Sequence, residues 1–148
     1  MGEIRFYHLT TKSPRTALPE LLEKAYARQQ KVVVQCEDAH IAEMLNDQLW
    51  LYDDQSFLPH GTAKDGDPAL MPIFITADDH HPKADILMLF DGAVSSRLGA
   101  YAVNCILFDG KNETRLTWAR ALWADLKAKG HELTYYQQQP TGGWEQKA

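Results

Sequence analysis

A thiol and an imidazole close together in the sequence are the candidates for nucleophilic chemistry. Cys36 ends an apolar run and His40 follows four residues later, a separation that lets the ring reach the sulfur across one helical turn. Asp38 between them is typical of a helix N-cap, and a lone cysteine in an apolar run usually packs in a core. We favour packing and keep the nucleophile pair as an alternative.

Two other polar segments resemble catalytic or metal-binding equipment. The ring of His60 could act as an acid or base near neutral pH, but no other titratable residue in its segment is obviously placed to pair with it. Residues 78–81 read Asp-Asp-His-His, yet adjacent side chains seldom converge on one metal ion. We expect a solvated loop there and no metal site. Because no glycine-rich phosphate-binding motif is present, we also expect no cofactor.

The stretch 112–129 carries a different chemistry, the binding of an anion. Read as a helix, it places four residues on one stripe at separations of four, three and four: Leu116, Arg120, Trp123 and Lys127. A neighbouring stripe of Ala119, Leu122 and Leu126 is suited to the core. The first stripe either widens the buried face or remains free to bind something anionic and partly apolar.

The elements that position these residues alternate between β-rich runs and helical patterns. Strands are predicted at 4–9, 31–36, 73–76, 86–90, 103–108 and 132–136, and helices at 16–30, 38–49 and 112–129. This alternation predicts an α/β fold with a mostly parallel sheet, whose strand order the sequence does not give. Residues 50–70 and 77–83 are expected to be loops, and 137–148 a tail anchored at most by Trp144. The inward face of the first helix is predicted to hold Leu18, Leu21, Leu22, Ala25 and Tyr26.

Composition limits the class of protein. A chain of 148 residues with 45% hydrophobic content suits a single domain, 1–148. The net charge of −5 disfavours direct DNA or RNA binding. No run approaches a membrane span of about 18 apolar residues, no export signal is evident, and the two cysteines form no disulfide framework. We expect a cytoplasmic protein that does not bind DNA tightly by itself and does not contact a membrane.

Large apolar residues lie at the end of the second predicted helix and in the loop after it. They are Leu49, Trp50, Tyr52, Phe57 and Leu58. Since loops lie at the surface, such residues either tuck under the loop or face a partner. Aromatic residues often anchor interfaces, so Trp50 and Phe57 are the candidates for partner binding.

Several segments in order along the chain carry a family resemblance. They are Phe6-Tyr7-x-Leu9, Val33-Val34-Gln35-Cys36-Glu37-Asp38, Leu45-x-x-x-Leu49-Trp50, Ser56-Phe57-Leu58-Pro59-His60, Asp85-Ile86-Leu87, and Ala119-Arg120 with Trp123 and Gly130. Together they resemble the chi subunit of bacterial DNA polymerase III. The resemblance implies a single-domain, three-layer Rossmann-like fold with a mostly parallel mixed sheet. It also implies a non-catalytic accessory subunit of the clamp loader.

The resemblance further implies two binding surfaces. Arg120, Trp123 and Lys127, with Leu116 beside them, would bind the acidic C-terminal tail of the single-stranded-DNA-binding protein. Trp50 and Phe57 would contact the psi subunit or another clamp loader component.

Family members can carry additional lysines on the tail-binding helix, where this chain has Leu116 and Ala124. We expect Arg115, Lys111 or Lys129 to substitute for them. The alternative function is a small α/β enzyme or nucleotide-binding module that uses Cys36, His40 or His60 at the carboxyl edge of the sheet.

Overall fold

The computed structural model describes residues 2–51, 58–79 and 82–148. Within these residues the chain forms three α-helices and eight strands, joined by loops. The helices are α1 (Pro14–Ala27), α2 (Ala39–Trp50) and α3 (Glu113–Ala128). The strands are β1 (Glu3–Leu9), β2 (Val32–Gln35), β3 (His60–Gly61), β4 (Ile73–Thr76), β5 (Ile86–Phe90), β6 (Val103–Asp109), β7 (Leu133–Gln138) and β8 (Trp144–Gln146).

Each helix begins at a side-chain cap. Ser13 precedes α1, and Pro14 occupies its first turn, where the missing N–H costs no helical hydrogen bond. Asp38 accepts a hydrogen bond of 2.9 Å from the backbone N–H of Ile41 at the start of α2. Asn112 does the same for the N–H of Arg115 at 3.0 Å at the start of α3. These short polar side chains satisfy backbone donors that the helices leave free, and so fix where each helix starts.

The strands form one sheet in the order β3-β4-β2-β5-β6-β1-β7-β8. All paired strands in the described residues are parallel except β7 and β8, which are antiparallel. Apolar residues of α1 and α2 pack on one face of the sheet, and those of α3 pack on the other. This confirms the expected three-layer, Rossmann-like α/β fold with a mostly parallel mixed sheet.

The C-terminal segment differs from the predicted tail. Strand β7 continues to Gln138, the chain turns at Gly142 with a φ of +96°, and β8 returns along β7. The Trp144 ring packs edge-on against Tyr7, with 5.1 Å between ring centroids. Residues 137–148 carry few apolar side chains, which favours a tail over a strand. Trp144 is the anchor expected for this segment, and backbone pairing with β7, which the sequence does not predict, holds the segment to the sheet as well.

Two smaller expectations were also wrong. Tyr26 lies 40% exposed rather than inward, because Leu18, Leu22 and Ala25 already fill the buried stripe of α1. The predicted loop 50–70 contains the edge strand β3 and two short 3₁₀ turns. Among the described residues, none of the helices combines the length and apolar character needed to cross a membrane.

Candidate anion-binding cleft

Helix α3 presents a cationic and aromatic surface next to its buried stripe. Ala119 and Leu126 are buried as predicted, and Leu122 packs partly buried against the same cluster. Trp123 is half-buried and meets Phe6 edge-on, with ring centroids 5.3 Å apart. Arg120, one turn earlier, is exposed. The stripe predicted from helical spacing therefore both widens the buried face and leaves a cation at the surface. The indole of Trp123 contributes to the core, and the guanidinium of Arg120 faces solvent.

We call β7, β8 and the two residues after β8 the C-terminal hairpin. A cleft of about 260 Å³ lies between α3 and this hairpin. Its walls are Arg120, Trp123, Tyr135, Lys147 and Ala148. Two backbone hydrogen bonds set this arrangement: the N–H of Lys147 donates to the carbonyl of Tyr135 at 2.7 Å, and the N–H of Tyr135 donates to the carbonyl of Ala148 at 3.2 Å. The rings of Trp123 and Tyr135 pack edge-on with centroids 5.5 Å apart. The cleft thus combines two aromatic walls with two cationic side chains.

The cations in this cleft differ in their partners. Lys147 forms an ion pair of 3.4 Å with Glu145. Within the part of the chain that the structure describes, Arg120 forms no ion pair. Its guanidinium is available for a carboxylate, which it can grip with two parallel N–H···O bonds.

His8 lies behind Tyr135, at the carboxyl end of β1. Its Nδ1 is 2.8 Å from the Tyr135 hydroxyl, in a hydrogen bond. A Cβ at position 110 would lie 2.0 Å from the His8 ring, so Gly110 leaves the space that the ring occupies. Burial, with a smaller contribution from Arg120, lowers the pKa of His8 below its usual 6.5. Burial also raises the pKa of Tyr135, against the opposing effect of Arg120.

The lowered pKa of His8 predicts a loss of stability in mild acid. The native state resists protonation of this ring, so the unfolded chain binds more protons as the pH falls below 6.5. The free energy of unfolding should therefore decrease between pH 7 and pH 5 more steeply in the wild type than in His8→Gln. Urea unfolding at a series of pH values measures both slopes. Equal slopes would show that His8 does not couple folding to pH.

The other residues predicted for this surface lie outside the cleft walls. Leu116 packs partly buried against the α3-side core, and Lys127 is exposed one turn beyond Trp123. The three cations expected to substitute for missing lysines have partners elsewhere. Arg115 pairs with Glu37 and Asp91, the Lys111 ammonium donates to the Thr11 carbonyl, and Lys129 pairs with Asp125. Lys147, which sequence reasoning missed, supplies the second cation of the cleft.

The end of α2 carries a separate apolar surface. Trp50 is 49% exposed and Leu51 is 83% exposed. The Trp50 ring lies against that of His60, with 4.2 Å between centroids. Phe57, the other aromatic residue predicted to bind a partner, lies outside the described residues.

Burial and backbone contacts involve two of the three residues named for the alternative enzyme function. Cys36 is 2% exposed, and burial together with the charge of Asp38 raises its pKa to about 12, so the reactive thiolate is scarce near neutral pH. His40 is exposed, and no hydrogen bond joins it to that sulfur. The two ring nitrogens of His60 lie 2.6 and 3.0 Å from backbone carbonyl oxygens, those of Leu58 and Asn46. This imidazole is therefore occupied in holding the backbone.

In the polar loop 77–83, a side chain makes a hydrogen bond to another segment of the chain. Asp79 accepts a hydrogen bond of 2.9 Å from the N–H of Ser96. His80 and His81, which the sequence placed beside it, lie outside the described residues. Within the described ranges, no cluster of three or more histidine, cysteine, aspartate or glutamate side chains is suited to a metal ion.

Comparison with known proteins assigns the chain to a family. The profile of the family described as "DNA polymerase III chi subunit, HolC" matches residues 1–134. The "Probable DNA polymerase III subunit chi" of Rickettsia prowazekii is 37% identical over 90 residues, which are 60% of this chain and 54% of that protein. The chain therefore aligns with about half the length of this curated relative. Because the family profile extends over most of the sequence, the chain belongs to the DNA polymerase III chi subunit family.

Proposed function

We propose that this protein is a non-catalytic accessory subunit of the replicative clamp loader, and that it binds the acidic C-terminal tail of single-stranded-DNA-binding protein. The observation that carries this proposal is the cleft in which Arg120, which forms no ion pair with any residue that the structure describes, lies beside Trp123. The proposed role belongs to the cytoplasm, where a bacterial chromosome is copied. Contact with DNA would be indirect, since a chain of net charge −5 is poorly suited to neutralising phosphates.

The cleft suits the end of an extended acidic peptide. A tail that finishes in an apolar residue needs a cation for its carboxylates and an apolar wall for its last side chain. Arg120 supplies the first, and the rings of Trp123 and Tyr135 supply the second. A volume of about 260 Å³ accommodates one or two side chains rather than a folded domain.

Weak binding of each tail is sufficient for a tether. An exposed cleft with few charges gives modest affinity for one peptide. A DNA-bound array of the binding protein presents many tails at high local concentration, so the overall attachment is stronger than that of a single tail.

A second surface would join the protein to the polymerase assembly. The exposed Trp50 and Leu51 lie at the end of α2, on another element from the cleft. Aromatic residues in such apolar patches commonly act as anchors. We propose that Trp50, together with Phe57, binds the psi subunit or another clamp loader component, and that the single domain 1–148 bridges the two partners.

Fluorescence polarisation of a labelled acidic peptide tests the tether. The peptide copies the last residues of the single-stranded-DNA-binding protein from the same organism, and its control replaces each acidic residue with the corresponding amide. We expect micromolar binding of the acidic peptide, weakening as salt rises because the contacts are exposed charges. The amide control should bind at least tenfold more weakly. Equal affinity for both peptides, or no binding at low salt, would refute the proposal.

A further inference from the structure

The two residues that follow the C-terminal strand β8 form one wall of the cleft. Alternation along β8 turns Trp144 toward Tyr7 on the α1 face of the sheet. Lys147 instead lines the cleft beside Arg120 on the α3 face. The Glu145 carboxylate lies 3.4 Å from the Lys147 ammonium, so the cleft contains a cation with its own resident anion.

We propose that Lys147 is a second cationic contact for the acidic tail, and that Glu145 limits how tightly the tail binds. This inference rests on the proposed tail-binding function of the cleft. The tail carboxylates compete with Glu145 for the same ammonium group. Glu145 also repels the tail directly, because a tail carboxylate that reaches the Lys147 ammonium comes close to the carboxylate of Glu145, and like charges repel each other. Residues 145–147 therefore carry both an attractive and an opposing group for the same ligand.

Exposure of the pair makes this exchange feasible. The side chains of Lys147 and Glu145 are both about half exposed. Such a surface ion pair contributes little stability, so a peptide carboxylate can replace Glu145 at small cost. The backbone hydrogen bond from Lys147 to Tyr135 holds the residue at the cleft whichever anion its side chain meets.

The position of this strand makes the contact a feature of the chain beyond the family match. The family profile ends at residue 134, whereas β8 spans Trp144–Gln146 and Lys147 follows it. Helix α3 supplies only Arg120 as a cation to the cleft walls. Lys147 would therefore be the second cation that the cleft offers to an acidic ligand.

The test compares charge changes at two ion pairs in the peptide-binding assay. Lys147→Gln keeps most of the side-chain length and should weaken binding of the acidic peptide by about two- to fivefold. Glu145→Gln should strengthen binding by about twofold or more, because it frees the ammonium and removes a repulsion. The matched controls are Lys64→Gln and Glu43→Gln, at an exposed pair of 3.2 Å that joins α2 to the segment after β3, away from the cleft walls. These controls change the net charge equally and should leave affinity within about twofold.

The outcomes separate this inference from the function on which it rests. If wild-type protein binds the peptide and Arg120→Ala does not, but Lys147→Gln and Glu145→Gln match their controls, the inference is overturned and the tether remains. If wild-type protein does not bind, or Arg120→Ala binds normally, the proposed function itself fails. Circular dichroism and urea unfolding of each variant check that its secondary structure and stability match those of wild type.

Discussion

Replacing Arg120 with alanine is expected to weaken binding of the acidic tail peptide at least tenfold and to leave the fold intact. A hydrogen bond to a charged group contributes about 1.5–3 kcal/mol, and about 1.4 kcal/mol corresponds to a tenfold change in affinity. The side chain is exposed and has no ion-pair partner among the described residues, so the free energy of unfolding should change by less than about 0.5 kcal/mol. Peptide titration and urea unfolding of the same variant measure the two effects separately.

Two control substitutions sharpen this result. Arg120→Lys keeps the charge but loses the planar guanidinium, so we expect an intermediate loss of affinity. Arg28→Ala removes an exposed arginine just after α1, the helix on the opposite face of the sheet, and should leave affinity unchanged. An equal loss in Arg28→Ala would mean that the peptide senses only the overall charge of the protein. Wild-type affinity in Arg120→Ala would mean that Arg120 does not bind the peptide.

Replacing Gln138 with leucine is expected to destabilise the protein by about 2–3 kcal/mol. The Gln138 side chain is 3% exposed. Its Oε1 accepts hydrogen bonds from the backbone N–H groups of Thr10, Thr11 and Lys12 at 3.2, 3.0 and 3.1 Å. Leucine would leave these donors without an acceptor. The native state would then be destabilised, because it would hold N–H groups away from water with no hydrogen bond in exchange. The midpoint of thermal unfolding should drop by about 5–10 °C.

Gln139 provides the matched control for that substitution. It is the next residue and is exposed, so Gln139→Leu should change the free energy of unfolding by less than about 0.5 kcal/mol. Urea unfolding followed by circular dichroism compares the two variants with wild type. Similar stability of Gln138→Leu and wild type would show that the C-terminal hairpin is not integrated with the loop after β1, and would weaken the case for a preformed cleft.

The fold could be predicted because its signals are local. A run of three valines in β2 is typical of a strand buried on both faces, and the structure buries all four residues of that strand. Helix α3 was predicted at 112–129 and is observed at Glu113–Ala128, since Asn112 is a cap and apolar residues recur at helical spacing. Alternation of such elements then leads to a parallel layered sheet.

The C-terminal hairpin could not be predicted because its signals are long-range. Strand β8 is short and polar, and it forms by pairing with β7. Gln138 is buried, and its side chain accepts hydrogen bonds from residues more than 120 positions away in the sequence. Such contacts cannot be predicted from hydrophobic periodicity.

The site shows the same division between local and long-range information. Spacing on one helix brought Arg120 and Trp123 together, and the cleft contains both. Spacing could not show that Arg115 pairs with Glu37, which is 78 positions away, or that Lys147 comes to the cleft from the end of the chain. Partners distant in sequence decide which cations are available, so the charged groups of a site are the hardest part to infer.

The most direct test of the central claim is to map the acidic peptide by NMR on ¹⁵N-labelled protein. The four tryptophan indole N–H groups are convenient probes, because Trp123 lines the cleft whereas Trp50 lies at the end of α2 and Trp144 packs against Tyr7. We predict that titration shifts the Trp123 indole and the backbone amides of Arg120, Tyr135 and Lys147, and leaves the Trp50 indole in place. Shifts concentrated at Trp50, with the Trp123 indole unmoved, would contradict the assignment of tail binding to this cleft.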